Sequence, residues 1–286
     1  MKKLLTAFLL ALVILLFLAP SNALAAEAPD ISAPAYVARD VATGKIVFSK
    51  NANTKIAAAS LTKVVTALVV LDTKPNLQKQ VAITQYDQNL GACKRGGGCI
   101  KTKPGVKYTV DGLFHAALLP SANNAASALA RSTGLSAKQF AARMNAKAKA
   151  LGATSSRFVE PTGMNRGNII TAADFSKIMA AAFSNPYLKG IEQKTSYRLL
   201  SVNNKAYAQT VKNSNKLLAN GDLDILGAKT GYLSRFNFAA LLKVNGGHTL
   251  SVVVLNEKRM STAFSDAHSL AVQAQQQLNS VAVKIK

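Results

Sequence analysis

Strand-like segments stand at both ends of this chain, and an Ala-rich stretch with helical periodicity separates them. Tyr36–Asp40 and Lys45–Ser49 alternate around Thr43-Gly44, which predicts a hairpin. Near the other end, Ala228–Thr230, Phe236–Val244 and His248–Leu255 have strand composition, with Asn245-Gly246-Gly247 as a turn signal between the last two. Between these ends, Ala57–Leu71 reads as a buried helix broken after Asp72 by Pro75. Val110–Leu119 and Asn124–Arg131 read as helices on either side of the Pro120-Ser121-Ala122-Asn123 turn. Ser136–Leu151 follows, with Ser136 as cap and Gly152 as stop. Thr171–Phe183 opens with a capping-box pattern, Thr171 and Asp174. A terminal helix is predicted over Ser261–Ser280. Strands, helices, strands and a last helix imply an α+β fold: an antiparallel sheet built from both chain ends, with a helical insert between.

The N-terminus has a different logic. Lys2 and Lys3 precede an apolar run from Leu4 to Ala19, and Ala23-Leu24-Ala25 fits a small-x-small cleavage site. Residues 1–25 therefore read as a signal peptide, the alternative being an uncleaved anchor, and residues 26–286 as the exported functional domain. The net charge of +22 is spread along the chain, and Trp is absent. A nucleic-acid binder would interleave its cations with stacking aromatics. In an exported chain, such charge suits anionic cell-wall polymers, though solubility alone also accounts for it. Cys93 and Cys99 flank Lys-Arg-Gly-Gly-Gly, and after export the pair reads as a disulfide. A zinc site would need further ligands, and the closest histidine in sequence is His115.

Three short motifs carry chemistry: Ser60-Leu61-Thr62-Lys63, Ser121-Ala122-Asn123 and Lys229-Thr230-Gly231. Acyl transfer needs an activated nucleophile, a base and an oxyanion trap. Lys63 lies one helical turn from Ser60, on the same face. Desolvation or a second cation, which Lys229 can supply, would lower its pKa and make it a base. Ser60 is thus the candidate nucleophile and Lys63 its general base. A Ser-His-Asp triad is the competing design, but none of His115, His248 or His268 adjoins a recognisable nucleophile motif.

In this order the motifs resemble penicillin-binding proteins and class A β-lactamases. The runs Ser60–Leu71, Asn145–Gly152, Arg157–Gly163, Thr171–Asp174 and Asn213–Leu218 resemble the low-molecular-mass penicillin-binding proteins, the serine D-Ala-D-Ala carboxypeptidases and D,D-endopeptidases. The resemblance extends from about Pro34 to the C-terminus. It implies a β-lactamase/DD-peptidase-like fold: an antiparallel sheet flanked by helices, plus an all-helical lobe, with the site in the cleft between. It implies that Ser121 relays a proton to the leaving nitrogen and that Asn123 holds the substrate amide and Lys63. Lys229 and Thr230 would bind the substrate's carboxylate, Gly231 would admit its backbone, and the N–H groups of Ser60 and Tyr232 would form the oxyanion hole. Peptidoglycan peptides would be substrates and β-lactam antibiotics covalent inhibitors. No metal or organic cofactor, no nucleic acid and no C-terminal β-domain are expected, and the sequence does not give the oligomeric state.

Departures from the pattern define the alternatives. Leu233 stands where relatives carry threonine, and Phe236-Asn237 where they carry a small pair, so the substrate wall is altered. Some carboxypeptidases have an arginine where this chain has Ser214; Arg235 is either a substitute carboxylate contact or a solvent-facing strand residue. Glu160-Pro161 is similar to the deacylating glutamate of class A β-lactamases, but Asn165 follows at the wrong spacing. A β-lactamase and a catalytically idle wall-binding or penicillin-sensing protein are therefore the rival readings.

Overall fold

The computed structural model describes residues 29–95, 98–219, 221–244 and 247–283. The expected signal peptide, Gly96-Gly97 of the cysteine loop and Asn245-Gly246 of the second hairpin turn lie outside the described residues. The chain opens with β1 (Ala35–Asp40), β2 (Ile46–Lys50) and the short β3 (Ile56–Ala57), then enters α1 (Thr62–Asp72). The helical middle follows: β4 (Gln80–Ala82), α2 (Gln85–Leu90), β5 (Lys107–Thr109), α3 (Val110–Leu118), α4 (Asn123–Arg131) and α5 (Ala137–Ala150). After β6 (Ile169–Ile170) come α6 (Ala172–Phe183), α7 (Pro186–Glu192) and the hairpin of β7 (Ser196–Leu199) and β8 (Gln209–Lys212). The chain closes with β9 (Asp224–Tyr232), β10 (Phe236–Lys243), β11 (Thr249–Glu257) and α8 (Met260–Val283).

Both chain ends share one antiparallel sheet of order β2-β1-β11-β10-β9. Strand alternation sorts its side chains into two cores. Ala239, Leu241, Val253 and Leu255 pack with the helical lobe. Phe238, Ala240, Leu242, Val252 and Val254 pack with Phe264, Leu270 and Ala274 of α8. Covered on both faces, the inner strands read as near-continuous apolar runs rather than as alternating ones.

In the helical lobe, α1 is the central element. Val64, Val65, Ala67, Val69 and Val70 are buried, and so are Thr62, Lys63 and Thr66. A helix buried on every side is wrapped by others, here α3, α4, α5 and α6. The lobe's outer edge is pinned at Asp87, which is buried and accepts from Ser127 Oγ at 2.7 Å and from Arg131 Nη2 at 2.6 Å. Among the described residues, no helix is long and apolar enough to cross a membrane.

The expected elements appear in the expected order, short elements the sequence did not disclose stand between them, and three of the expected elements differ locally. Helix α1 begins at Thr62 rather than Ala57, because Ala57 pairs with Ile169 in β6 and Ala59 has φ +50°. At α6, Thr171 caps Asp174 N–H, but the carboxylate of Asp174 accepts from Ser155 N–H and Ser156 Oγ, so the capping box is half formed. Strand β9 begins at Asp224 instead of Ala228. Gly227 interrupts its apolar pattern because a Cβ there would lie 2.3 Å from the Phe183 ring.

Candidate active site

The three motifs meet in a cleft of about 330 Å³ between the sheet edge β9 and the helical lobe. Ser60, Ser121, Asn123, Thr230, Gly231 and Tyr232 line it, together with the apolar Met164, Leu233 and Met260. Lys63 and Lys229 are buried behind this lining, each 1% exposed.

Ser60 lies in the 3-10 turn Ala59–Leu61 that feeds α1. The left-handed backbone at Ala59 costs energy for a residue with a Cβ, and the surrounding packing imposes it. Gly163, itself at φ +88°, presses on that turn: a Cβ at 163 would lie 1.8 Å from the Ala59 carbonyl oxygen. Gly231 approaches from the sheet, and its Cβ would stand 3.3 Å from Ala58 O and Ala59 Cβ. Gly231 thus serves the contact between β9 and the nucleophile turn, in addition to the expected approach of a substrate backbone.

Lys63 Nζ sits 2.9 Å from Ser60 Oγ, 2.6 Å from Asn123 Oδ1 and 2.6 Å from the Thr162 carbonyl. The last two partners are acceptors only. In the neutral amine they take both N–H groups, which leaves the lone pair for the Ser60 hydroxyl. Burial holds the Lys63 pKa well below its ordinary value, the cation at Lys229 lowers it further, and Glu160 partly opposes them. Desolvation, a second cation and contact with the Ser60 hydroxyl therefore coincide at Lys63.

Asn123 is placed by its backbone as well as by Lys63. Its N–H donates to Gly98 O at 2.7 Å, and its side-chain amide donates to Gly91 O at 3.2 Å. Cys93 and Cys99 are joined in a disulfide that closes the loop between these two carbonyls. Ser121 has φ +66°, and its buried Oγ has no hydrogen-bond partner among the described residues. Ser121 thus lines the cleft with a left-handed backbone and a hydroxyl that no described residue engages.

Four contributions were not legible in the sequence. The Thr162 carbonyl is a backbone group and carries no residue signal. Glu160 accepts from the N–H groups of Thr162, Gly163 and Asn165 and from Asn168 Nδ2, so it folds the turn that presents that carbonyl. Asn237, in place of the small residue of relatives, is buried; its amide donates to Ala57 O at 3.0 Å and its Oδ1 accepts from Asn256 N–H. It ties β10 to the approach of the nucleophile turn, whereas Leu233 is the altered residue that lines the cleft. Glu192 of α7 is buried beside Lys229, and burial raises its pKa while Lys229 opposes that rise. Burial pushes Lys229 down to about 8, against the pull of Glu192.

The remaining expected positions are accounted for by packing. Ser214 Oγ lies 2.8 Å from Thr230 Oγ1, so two hydroxyls stand where some carboxypeptidases have a guanidinium. Arg235 is exposed and lines a neighbouring depression with Glu257 and Arg259, not the cleft. His115 contacts Lys194, and His248 contacts Asp40; neither histidine lines the cleft.

The profile of a family described as D-alanyl-D-alanine carboxypeptidase matches residues 22–259. A D-alanyl-D-alanine endopeptidase of Pseudomonas aeruginosa is 30% identical over 244 residues, which is 84% of this chain and 76% of that protein. A D-alanyl-D-alanine carboxypeptidase of Mycobacterium tuberculosis is 33% identical over 210 residues, 71% of this chain and 67% of the other. Among solved structures, the Streptomyces K15 DD-transpeptidase superimposes with a TM-score of 0.79 at 27% identity, covering 86% of this chain and 98% of that one.

Proposed function

Because the chain belongs to the family of D-alanyl-D-alanine carboxypeptidases and is a serine D,D-peptidase of peptidoglycan, we propose that Ser60 is its nucleophile and Lys63 its general base. The observation that carries this reading is the contact of Lys63 Nζ with Ser60 Oγ while both its other partners are pure acceptors. Ser60 Oγ attacks the carbonyl of a D-Ala-D-Xaa bond as its proton passes to Lys63. The developing oxyanion is held by the N–H groups of Ser60 and Tyr232, near the positive end of α1. Ser121 Oγ hands its proton to the leaving nitrogen and takes up the one held by Lys63, the C–N bond breaks to give the acyl-enzyme, and Lys63 is left neutral. Asn123 orients the substrate amide and keeps Lys63 in place. Water then hydrolyses the ester.

The leaving group's carboxylate meets the hydroxyls of Thr230 and Ser214, with the charge of Lys229 behind them. The rim beyond is formed by Tyr232, Leu233 and Met260 and carries no charged side chain. This rim favours a larger leaving group, the D-centre of a cross-linked diamino acid, over a terminal D-Ala. The endopeptidase names of several relatives agree with that preference. Carboxypeptidase action is the second reading, supported by relatives so named. The Ala23-Leu24-Ala25 signal supports export with removal of residues 1–25. Product analysis of purified muropeptides is the test: loss of cross-linked dimers to monomers supports endopeptidase action, and release of D-Ala from pentapeptides with dimers intact supports the second reading.

A further inference from the structure

The chain contains no acidic residue between Asp87 and Asp111, and none between Glu192 and Asp222. These two acid-free segments are brought together in the fold. Gln209 accepts from Lys101 N–H at 3.1 Å and donates to Lys101 O at 2.8 Å. Lys107 N–H donates to Asn203 Oδ1 at 2.8 Å, and Val202 N–H donates back to Lys107 O. Lys103 Nζ stands 5.8 Å over the Tyr207 ring. The side chains of Lys94, Lys101, Lys103, Lys107, Lys205 and Lys212 are all exposed.

The same two segments reach the cleft. Gly98 and Ser214 line it, one from each segment. The acids that bound the segments have other partners or are buried: Asp87 and Glu192 are buried, Asp111 accepts the hydroxyls of Tyr187 and Tyr197, and the half-exposed Asp222 is paired with His268. A single-sign field beside a cleft attracts a polyvalent anion and concentrates it there. Isolated surface lysines would be a solvated face. Here two segments far apart in sequence are joined by one backbone bond, Val202 N–H to Lys107 O, and by the Gln209 and Asn203 side chains bonding to the backbone of Lys101 and Lys107, and both segments reach the cleft.

We propose that this joined basic face is a secondary docking surface for the peptidoglycan polymer, reading the carboxylates of stem peptides next to the one held in the cleft. The proposal rests on the peptidase reading of the cleft and adds a contact beyond it: neighbouring stem peptides of the same polymer are held outside the cleft. Continuity with the cleft selects peptidoglycan over phosphate-bearing wall polymers or an anionic membrane, since a stem peptide seated at Ser60 brings its neighbours across this face.

The test is co-sedimentation of the Ser60→Ala protein with sacculi freed of phosphate polymers, in rising salt. One variant carries Lys101→Gln, Lys103→Gln and Lys205→Gln. A second carries Lys138→Gln, Arg143→Gln and Lys149→Gln, exposed positions on α5 that lower the net charge equally. The first variant is expected to bind sacculi about tenfold more weakly at low salt, and the difference should close as salt screens it. The second should bind like the parent. Equal weakening in both variants, or none in the first, overturns the proposal, as does binding to phosphate-bearing polymer or anionic vesicles but not to the stripped sacculi. With Ser60 restored, cleavage of a soluble pentapeptide should be unchanged by the first triple substitution. Absence of D,D-peptidase activity in the wild type would sink the peptidase reading instead, and the sedimentation result stands apart from it.

Discussion

Lys63 can serve as a base only while it is neutral, so the charges around it should govern the pH profile. Removing Lys229 takes away a cation that lowers the Lys63 pKa. In Lys229→Ala, that pKa rises, and the acid limb of kcat/KM should move to higher pH. Loss of the charge behind Thr230 should also cost about 2–4 kcal/mol in transition-state binding, roughly 30- to 1,000-fold in rate. Glu192→Gln should act on the other limb. Its carboxylate pulls the Lys229 pKa up, so its loss lowers that value below about 8, and the alkaline limb should move toward acid. pH profiles of peptide cleavage by the two variants check both signs, and a shift in neither limb would show that the two lysines are not coupled in function. Glu160 gives a third expectation. Its oxygens are occupied by the turn at Thr162–Asn165, which leaves no carboxylate placed to activate a deacylating water. Nitrocefin turnover should therefore be slow, with a penicilloyl enzyme that persists for minutes; rapid turnover would favour the β-lactamase reading.

Among the elements, the nucleophile turn and the N-terminus of α4 are held from outside by packed loops. Gly163→Ala would set a Cβ into the Ala59 carbonyl at a left-handed backbone position, and should destabilise by at least ~2 kcal/mol. Because the atom displaced adjoins Ser60, acylation should suffer beyond the loss in Tm. The disulfide offers a milder probe. A loop this short contributes about 2 kcal/mol, so Cys93→Ser with Cys99→Ser should lower Tm by roughly 4–8 °C. Since Gly91 and Gly98 hold Asn123, the observed rate of acylation by benzylpenicillin should fall as well. An unchanged rate would mean that Asn123 is held well enough by Lys63 alone.

These elements also explain what the sequence could disclose. Helices α3, α4 and α5 were legible because their periodicity is local, and α5 also because its cap, Ser136, is local. The strands β10 and β11 were legible because both faces are covered, which leaves apolar runs. Helix α2 and the pairs β4–β5 and β7–β8 escaped because they are short, and β9 was cut short because Gly227 answers to Phe183, a partner distant in sequence. At the site, Ser60, Lys63, Ser121, Asn123, Lys229, Thr230 and Gly231 announce themselves as motifs. Asn237 and Glu192 do not, since their meaning lies in contacts with Ala57 and Lys229 that only the folded chain creates.

At the scale of the molecule, one sheet edge and one helical lobe close on Ser60, the proposed nucleophile, with Lys63, its proposed base, buried between them. The sheet contributes Lys229, Thr230 and Gly231; α1 contributes Lys63, from a turn that presents Ser60; the lobe contributes Ser121 and Asn123. Each is useless without the others, so the central claim is that Ser60 forms an acyl-enzyme with substrates and substrate mimics of this class. Intact-protein mass spectrometry before and after benzylpenicillin tests it directly. The wild type should gain the mass of one penicilloyl group, mapped to the peptide containing Ser60, and Ser60→Ala should gain none. An unmodified wild type, or an adduct that survives in Ser60→Ala, would contradict the account.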